Sequence, residues 1–109
     1  MLQALCFQAM NELLSYLEDW MASKRKIFDC EGYKVAITGV LGEPKKSRYI
    51  DLDTDKLVAR ATLWDTGELE LEAIDFQTEA QVIQLSTVTN EIWHLDDKLN
   101  WWLSEVATY

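Results

Sequence analysis

The sequence is poor in several residue types that carry recognisable chemistry. It has one histidine and two cysteines in 109 residues, with no CxxC pair, so no multi-histidine metal site or histidine relay can form within one chain. The thiols of Cys6 and Cys30 are expected to be unpaired in a reducing cytoplasm, and a disulfide between them is left open. Four glycines and one proline indicate that few segments must stay loose.

Basic residues are also scarce. Ten Lys and Arg face nineteen Asp and Glu, which gives a net charge of −9. Such a charge repels nucleic-acid phosphates and anionic membranes and attracts basic proteins. The apolar N-terminus has no Lys or Arg before Lys24 and is interrupted by Glu12, Glu18 and Asp19, so neither an export signal nor a membrane span is expected. We therefore expect a cytoplasmic protein that binds neither nucleic acid nor membrane.

Hydrophobic residues make up 49% of the chain, which is enough to build the core of one domain over residues 1–109. Apolar residues at three- and four-residue steps predict an amphipathic helix from Leu2 to about Ser23 and another from about Asn90 to Ala107. The apolar stripe of the first helix is wide, because Phe7, Met10, Leu14, Leu17 and Met21 extend it. This helix is therefore expected to lie deep in a groove or to meet another chain.

Between the helices the apolar residues recur with a period of two, which is typical of strands with one buried face. Five segments show it: YKVAITGV, SRYIDLD, KLVARATLW, ELELEAIDF and AQVIQLS. The pattern predicts an α+β fold: an N-terminal helix, an antiparallel meander of about five strands and a C-terminal helix, with both helices on one face of the sheet. The other face is expected to be open, and the linker GVLGEPKKS is the predicted flexible loop.

The stretch LWDTGELELE contains Asp-Thr-Gly, the active-site triplet of aspartic proteases. Those enzymes need Ser or Ala after the glycine and a second aspartate held in a buried site, whereas Glu68 follows Gly67 here. Asp65, Thr66 and Gly67 instead suit a tight hairpin turn, since Asp readily begins such a turn and Gly accepts the positive φ that closes it. We interpret the triplet as a turn that sets the register of two strands.

Two acidic patterns are candidates for chemistry. Asp51, Asp53 and Asp55 have the spacing that opens an EF-hand loop, but Lys56 stands where the loop requires glycine. The alternating glutamates after the turn place carboxylates about 7 Å apart on one strand face, where Arg60 and Arg48 are the expected cross-strand partners. We expect no catalytic, cofactor-binding or metal-ligating set, and His94 is expected at the surface.

The open face offers a candidate surface for binding a protein. Trp20 and Trp102 fall on core stripes, whereas three other tryptophans fall on outward faces, and an exposed Trp ringed by acids is typical of a binding hot spot. The predicted partner-binding residues are Asp51, Arg60, Trp64, Glu68, Glu70, Glu72, Trp93 and Trp101.

The segment ARATLWDTGELELEAIDFQTEAQVIQLSTVTN, continued by LNWWLSEV, resembles the TriTu-like group of small bacterial immunity proteins, which protect cells from polymorphic or contact-dependent toxins. The likeness lies in the turn formed by Leu63, Trp64, Asp65 and Gly67, the acidic alternating strand, the hairpin IDFQTEAQVI and the closing helix. The resemblance implies a cytoplasmic, non-enzymatic inhibitor of a cognate toxin domain. It assigns no binding residues, because such families diverge at the toxin-facing surface.

Two hypotheses of function follow from these patterns. The first is an immunity protein that binds a basic toxin, for example a nuclease, through the acidic, Trp-containing surface. The second is a small acidic secretion chaperone that dimerises, as the wide stripe of the first helix suggests, and a homodimer is left open. An enzyme is not expected, because no set of positioned titratable groups converges.

Overall fold

The structure, a computed structural model, describes residues 2–42 and 44–109, and for residues 2–11 it describes the backbone alone. This part of the chain forms three helices and five strands in the order α1 (Leu2–Ser23), α2 (Arg25–Glu31), β1 (Lys34–Ile37), β2 (Ser47–Asp53), β3 (Leu57–Trp64), β4 (Glu68–Asp75), β5 (Gln81–Val88) and α3 (Ile92–Thr108). The predicted α+β order is therefore confirmed.

The five strands form one sheet in which each strand pairs antiparallel with its neighbour in sequence, as the meander prediction requires. One irregularity lies between β4 and β5, where Ala73 pairs with Ile83 but Ile74 pairs with Gln81. Val82 is the extra residue of this bulge, and a bulge turns two successive side chains toward similar directions. Val82 and Ile83 consequently both pack against the core.

The covered face of the sheet carries the core. In β3 the buried residues alternate with more exposed ones, and the small side chains of Ala59 and Ala61 lie in the middle of the strand. Leu17 of α1 and Leu99 of α3 are fully buried, which places both helices on this face. The interior therefore comes from alternate strand residues and from one stripe of each helix, as predicted.

Three aromatic rings fill the space beneath the helices. The ring centroid of Trp20 lies 6.2 Å from those of both Phe28 and Trp102, and no more than 1% of any of the three side chains is exposed. The indole N–H of Trp102 also donates to the carbonyl of Glu72 at 3.2 Å, which satisfies its buried donor. The prediction that Trp20 and Trp102 lie in the core is confirmed.

A polar seam joins α1 to α3 beside these rings. The Tyr16 hydroxyl donates to Asp96, the Trp20 indole N–H donates to Asn100 at 2.9 Å, and Asn100 donates to Asp96 at 3.0 Å. Burial, and then the hydrogen bond and charge of Asp96, raise the pKa of Tyr16 to about 12. The seam fixes the relative position of the two helices.

Helix α2 was not predicted. It has seven residues and is followed by Gly32, which has a φ of 71° and caps its C-terminus. Its one buried side chain is Phe28. Two turns are too short to show helical periodicity, so the sequence pattern gives no signal for this helix. Cys30 is exposed at the end of α2, and its pairing with Cys6 lies outside the described residues because the Cys6 side chain is not among them.

The prediction that Arg48 pairs with glutamates on the open face is wrong. Arg48 alternates with Ile50 on the covered side of β2, so its guanidinium points beneath α1 and is 6% exposed. It donates to the carbonyl of Leu14 at 3.0 Å, to the carbonyl of Thr38 at 2.9 Å and to the carboxylate of Glu18 at 2.7 Å. Arg48 thus ties α1 to the end of β1.

The predicted flexible loop joins β1 to β2. Leu41 and Ser47 pair through two backbone hydrogen bonds, of 2.7 and 2.8 Å, which close this loop at its base. Glu43 lies outside the described residues. Across residues 2–42 and 44–109, none of the helices has the length and apolar character needed to cross a bilayer.

Candidate partner-binding surface

The side chains that point away from the helices form what we term the open face. Because residues opposite each other in an antiparallel sheet point to the same side, the register defines its members. They are Lys34 and Ala36 of β1; Ser47, Tyr49, Asp51 and Asp53 of β2; Val58, Arg60, Thr62 and Trp64 of β3; Glu68, Glu70, Glu72 and Ile74 of β4; and Gln81, Gln84, Ser86 and Val88 of β5.

The turn at Asp65–Gly67 sets this register. The Gly67 N–H donates to the Trp64 carbonyl at 3.0 Å, and Gly67 has a φ of 91°, which an L side chain rarely adopts. A Cβ at this position would lie 2.5 Å from the carbonyl oxygen of Thr89. The predicted hairpin turn is confirmed, and the Asp65 carboxylate accepts a hydrogen bond from the backbone of Lys46 at 3.2 Å.

Arg60 lies at the centre of the open face. Its Nε and Nη2 donate to the two carboxylate oxygens of Asp51 at 2.7 and 3.2 Å, and its guanidinium carbon lies 3.8 Å from the centroid of the Tyr49 ring. The hydrogen bond to Asp51 is the main cause that raises the pKa of Arg60, and the charge of Glu72 on the next strand adds to it. These contacts hold the guanidinium in one place.

Trp64 lies at one end of the open face. The Nζ of Lys45 lies 5.5 Å from the centroid of the Trp64 ring and 3.1 Å from the carboxylate of Glu68. Thr66 also donates to Glu68, at 3.2 Å. The hydrogen bond from Lys45, followed by that from Thr66, lowers the pKa of Glu68. Glu68 is therefore ionised and already has a cation beside it.

Three other carboxylates of the open face are Asp53, Glu70 and Glu72. Within residues 12–42 and 44–109, no Lys, Arg or His nitrogen lies within 4.0 Å of Asp53, Glu70 or Glu72. Glu70 accepts a neutral hydrogen bond, from Gln84 at 3.3 Å. The Oδ1 atom of Asp53 is buried and has no hydrogen-bond donor in the same part of the chain, although Oδ1 accepts strongly when ionised.

A shallow depression of about 300 Å³ joins several of these groups. It is lined by Asp51, Asp53, Val58, Ala59, Arg60, Glu72 and Ile74. Among the side chains that the structure describes, no His, Cys, Asp or Glu residues gather as metal ligands would. The depression combines carboxylates with apolar walls, an arrangement that suits the aliphatic stem and charged head of a Lys or Arg side chain.

The structure does not bring Trp93 and Trp101 together with the other predicted binding residues. Both lie on the outer side of α3, in the helix layer, with 71% and 39% of their surface exposed. The ring of His94 stacks against Trp93 at 5.4 Å. Six of the eight predicted residues therefore share the open face, and two lie on the opposite side of the molecule.

Sequence patterns did not find every residue that shapes the open face. Tyr49 supports Arg60, Lys45 covers Trp64, and Ile74 and Val58 supply apolar surface that is 42% and 49% exposed. The alternation of SRYIDLD predicts that Tyr49 lies on the same side as Asp51, but its contact with Arg60 depends on the register between β2 and β3. Lys45 comes from a loop, which has no periodicity to place its side chain.

Comparison with known families supplies the class of the protein. The model of the family described as "Immunity protein TriTu" matches residues 15–105. The match covers more than half of the chain, and the chain belongs to this family of immunity proteins. The resemblance noted in the sequence is confirmed. Comparison with curated proteins gives no match.

Proposed function

We propose that this protein neutralises a cognate toxin domain in the cytoplasm, as a non-enzymatic inhibitor that binds through its open face. Membership of the immunity-protein family supports a toxin partner. The observation that carries the choice of surface is that Glu70 and Glu72 lie side by side on the open face with no cation in contact, within residues 12–42 and 44–109. A basic partner would supply the missing positive charges.

The geometry of the acidic strand supports this choice. Alternate residues of a strand are about 7 Å apart, so the carboxylates of β4 match cationic side chains spaced along a partner surface. The net charge of −9 adds long-range attraction, which raises the rate of association with a basic protein. Arg60 and Asp51 are already fixed by each other, so little side-chain entropy is lost when a partner covers them.

The predicted residues of the open face have different roles in this proposal. We term Glu68, Glu70 and Glu72 of β4 the acidic strip. Glu70 and Glu72 pair with cations of the toxin, the Trp64 ring is an apolar anchor at the edge of the acidic strip, and Glu68 and Asp51 add negative potential. Trp93 and Trp101 lie in the helix layer and would take part only if the toxin also reached that side. These two residues remain a separate prediction.

The proposal requires a toxin domain encoded beside the gene for this protein, and the test uses that domain. Replacing both Glu70 and Glu72 with Lys should weaken binding by at least about tenfold, since close charge pairs at interfaces couple by more than about 1.5 kcal/mol. Calorimetry gives the affinity, and circular dichroism checks the fold. The matched control replaces Glu12 and Glu105 with Lys, which changes the net charge equally on exposed positions of the helix layer.

The control variant shows whether weaker toxin binding comes from the loss of a local site or from the change in net charge. If the Glu12/Glu105 variant binds as weakly as the Glu70/Glu72 variant, only net charge matters and the open face is not the site. Stopped-flow measurements add a second criterion, because electrostatically steered association slows steeply as salt rises. A rate that does not change with salt would contradict the proposed role of the acidic strip.

The dimeric chaperone hypothesis gains no support from the described side chains. The residues of the wide stripe that the structure describes, Leu14, Leu17 and Met21, are buried by the chain itself. Phe7 and Met10 lie outside the described side chains. From residue 13 onward, the apolar stripe of α1 is therefore part of the core of a single chain.

A further inference from the structure

The two edges of the sheet differ in length and charge. The edge strand β1 has four residues and begins with Lys34, and a short edge that carries a lysine discourages pairing with another chain. The edge strand β5 has eight residues, QVIQLSTV, and none of them is charged. Within residues 2–42 and 44–109, β5 pairs with β4 alone, so its other side is an unprotected edge.

The ladder shows which backbone groups of β5 point outward. The Thr89 N–H donates to the Gly67 carbonyl at 2.7 Å, and in an antiparallel pair every second residue is hydrogen-bonded to its partner while the residues between point away. Gln84, Ser86 and Val88 therefore direct their N–H and C=O groups away from β4. In the described part of the chain, no hydrogen bond reaches these backbone groups.

The side chains beside this edge define what could pair with it. On the open face, Gln84, Ser86 and Val88 lie opposite Glu72, Glu70 and Glu68. An added strand would lie about 4.8 Å beyond β5 and so about 10 Å from the acidic strip. A Lys or Arg side chain and a glutamate side chain that extend toward each other together span that distance across a small, neutral neighbour such as Ser86.

The covered side of the same edge is apolar. Val82 and Leu85 pack only partly against the core, so apolar side chains of an added strand would cover them and extend the core by one strand. A partner strand with basic residues at one set of alternate positions and apolar residues at the other satisfies both faces. This alternation is the chemistry that the edge selects.

We propose that β5 is the docking edge for an extended segment of the toxin, which adds a sixth strand with basic side chains toward the open face and apolar ones toward the helices. The inference rests on the proposed function, because it assigns the way in which the same partner is held. Backbone pairing supplies contacts that do not depend on the partner's side chains, and the acidic strip selects the alternating basic residues.

Amide hydrogen exchange tests this pairing directly. In the free protein the amides of Gln84, Ser86 and Val88 should exchange rapidly, and binding of the neighbouring toxin domain should slow them at least about tenfold, because hydrogen-bonded amides exchange only after local opening. Val35 and Ile37 of β1 are the internal control. Since the Thr38 N–H donates to the Tyr49 carbonyl at 3.0 Å, these two amides also point outward and should stay unprotected.

A proline variant gives an independent measurement. Ser86→Pro removes an outward N–H and keeps the residues that pair with β4, since proline is tolerated on edge strands. It should weaken toxin binding about tenfold, whereas the matched Ser86→Ala variant, which keeps the N–H, should bind as the parent does. If Ser86→Pro fails to fold, the exchange measurement on the unaltered protein decides the matter.

The outcomes separate this inference from the proposed function. If the toxin binds and the Glu70/Glu72 reversal weakens it, but the three β5 amides stay unprotected, the docking edge is wrong and the open-face site stands. If the toxin does not bind at all, both fail. Protection of the β5 amides in the free protein that grows with its concentration would assign the edge to a second copy of this chain and overturn the inference.

A peptide arm tests the proposed side-chain chemistry without the toxin. An acetylated and amidated peptide of four Lys-Val repeats should shift the amide resonances of Gln84, Ser86 and Val88 in titrations of the labelled protein. The control peptide of four Glu-Val repeats, which has the same strand propensity and the opposite charge, should not. Equal shifts from both peptides would contradict selection by the acidic strip.

Discussion

The covered and open faces of β3 share one backbone and differ in almost every side chain. On the covered face, Leu57, Ala59, Ala61 and Leu63 are no more than 1% exposed. On the open face, Val58 is 49% exposed, and Arg60 is held by contacts with Asp51 and Tyr49. The covered-face residues of β3 therefore build the core, and its open-face residues belong to the proposed binding surface. Residues of one face can be substituted while those of the other face are kept.

Pairs of the same residue type make the comparison quantitative. Trp102 lies in the covered layer and Trp64 on the open face. In the same way, Arg48 lies in the covered layer and Arg60 on the open face. Trp102 and Arg48 are buried, whereas Trp64 and Arg60 keep contact with solvent. Equal substitutions in the two members should therefore have unequal effects on stability.

The largest difference is expected for the tryptophans. Trp102→Ala removes a fully buried ring that packs on Trp20, so it should reduce the free energy of unfolding by about 3–5 kcal/mol. Trp64→Ala removes a partly exposed ring beside Lys45 and should cost about 1 kcal/mol. Urea unfolding followed by circular dichroism measures both. Equal losses would show that the open face also stabilises the fold.

The arginines should show a smaller difference in the same direction. Arg48→Met removes the donor to the half-buried carbonyl of Thr38 and a donor to the buried carbonyl of Leu14, which should cost about 2–3 kcal/mol. Arg60→Met breaks an exposed ion pair with Asp51, and such pairs contribute about 0.2–1 kcal/mol. Glu18→Gln is the control for Arg48→Met. The Glu18 side chain is 63% exposed, so Glu18→Gln should lower the free energy of unfolding by less than Arg48→Met does.

Local patterns were sufficient to predict most of this architecture. Strand alternation identified five strands within a few residues of their bounds, because one face of each strand is buried and the other is not. The turn at Asp65–Gly67 was predictable because only glycine readily supplies the φ of 91° found at Gly67. These features depend on residues that are close together in the chain, so local sequence patterns are enough to predict them.

The missed features depend on contacts between distant residues. Arg48 alternates with Ile50 in β2, so the sequence did carry a signal for its side, but its partners on α1 and in the segment after β1 lie 34, 30 and 10 residues away. The contact between Arg60 and Tyr49 follows from the register of two strands. Trp93 and Trp101 are separated from the open face because α3 packs on the other side of the sheet. The helical pattern predicts that their side chains point outward, but it does not predict on which side of the molecule.

The seam between α1 and α3 offers a test of the covered layer at high pH. The pKa of Tyr16 is raised to about 12, above the value of about 10 in an unfolded chain. A raised pKa means that the neutral hydroxyl stabilises the fold fully below pH 10 and that this contribution is lost as the pH rises toward 12. The Tyr16 side chain is partly exposed, so solvent screening reduces the contribution to about 1 kcal/mol.

The variant Tyr16→Phe isolates this contribution. The free energy of unfolding of the parent should fall more steeply between pH 10 and 12 than that of the variant, as measured by urea unfolding across that range. Tyr33, whose pKa is also raised by burial, is present in both proteins and cancels in the difference. Parallel curves would mean that the hydrogen bond from Tyr16 to Asp96 does not stabilise the packing of the two helices.

The smallest change in stability is expected where the largest change in binding is proposed. Replacing Glu70 and Glu72 with Lys removes a hydrogen bond from Gln84 and places positive charge near Arg60, both of which destabilise. The same change lowers the magnitude of a net charge of −9, which relieves self-repulsion. These terms nearly cancel, so the free energy of unfolding should change by no more than about 0.5 kcal/mol. Urea unfolding checks this figure. A loss several times larger would mean that the acidic strip is needed for the fold. Weaker toxin binding by this variant would then reflect loss of the fold and would not identify the binding site.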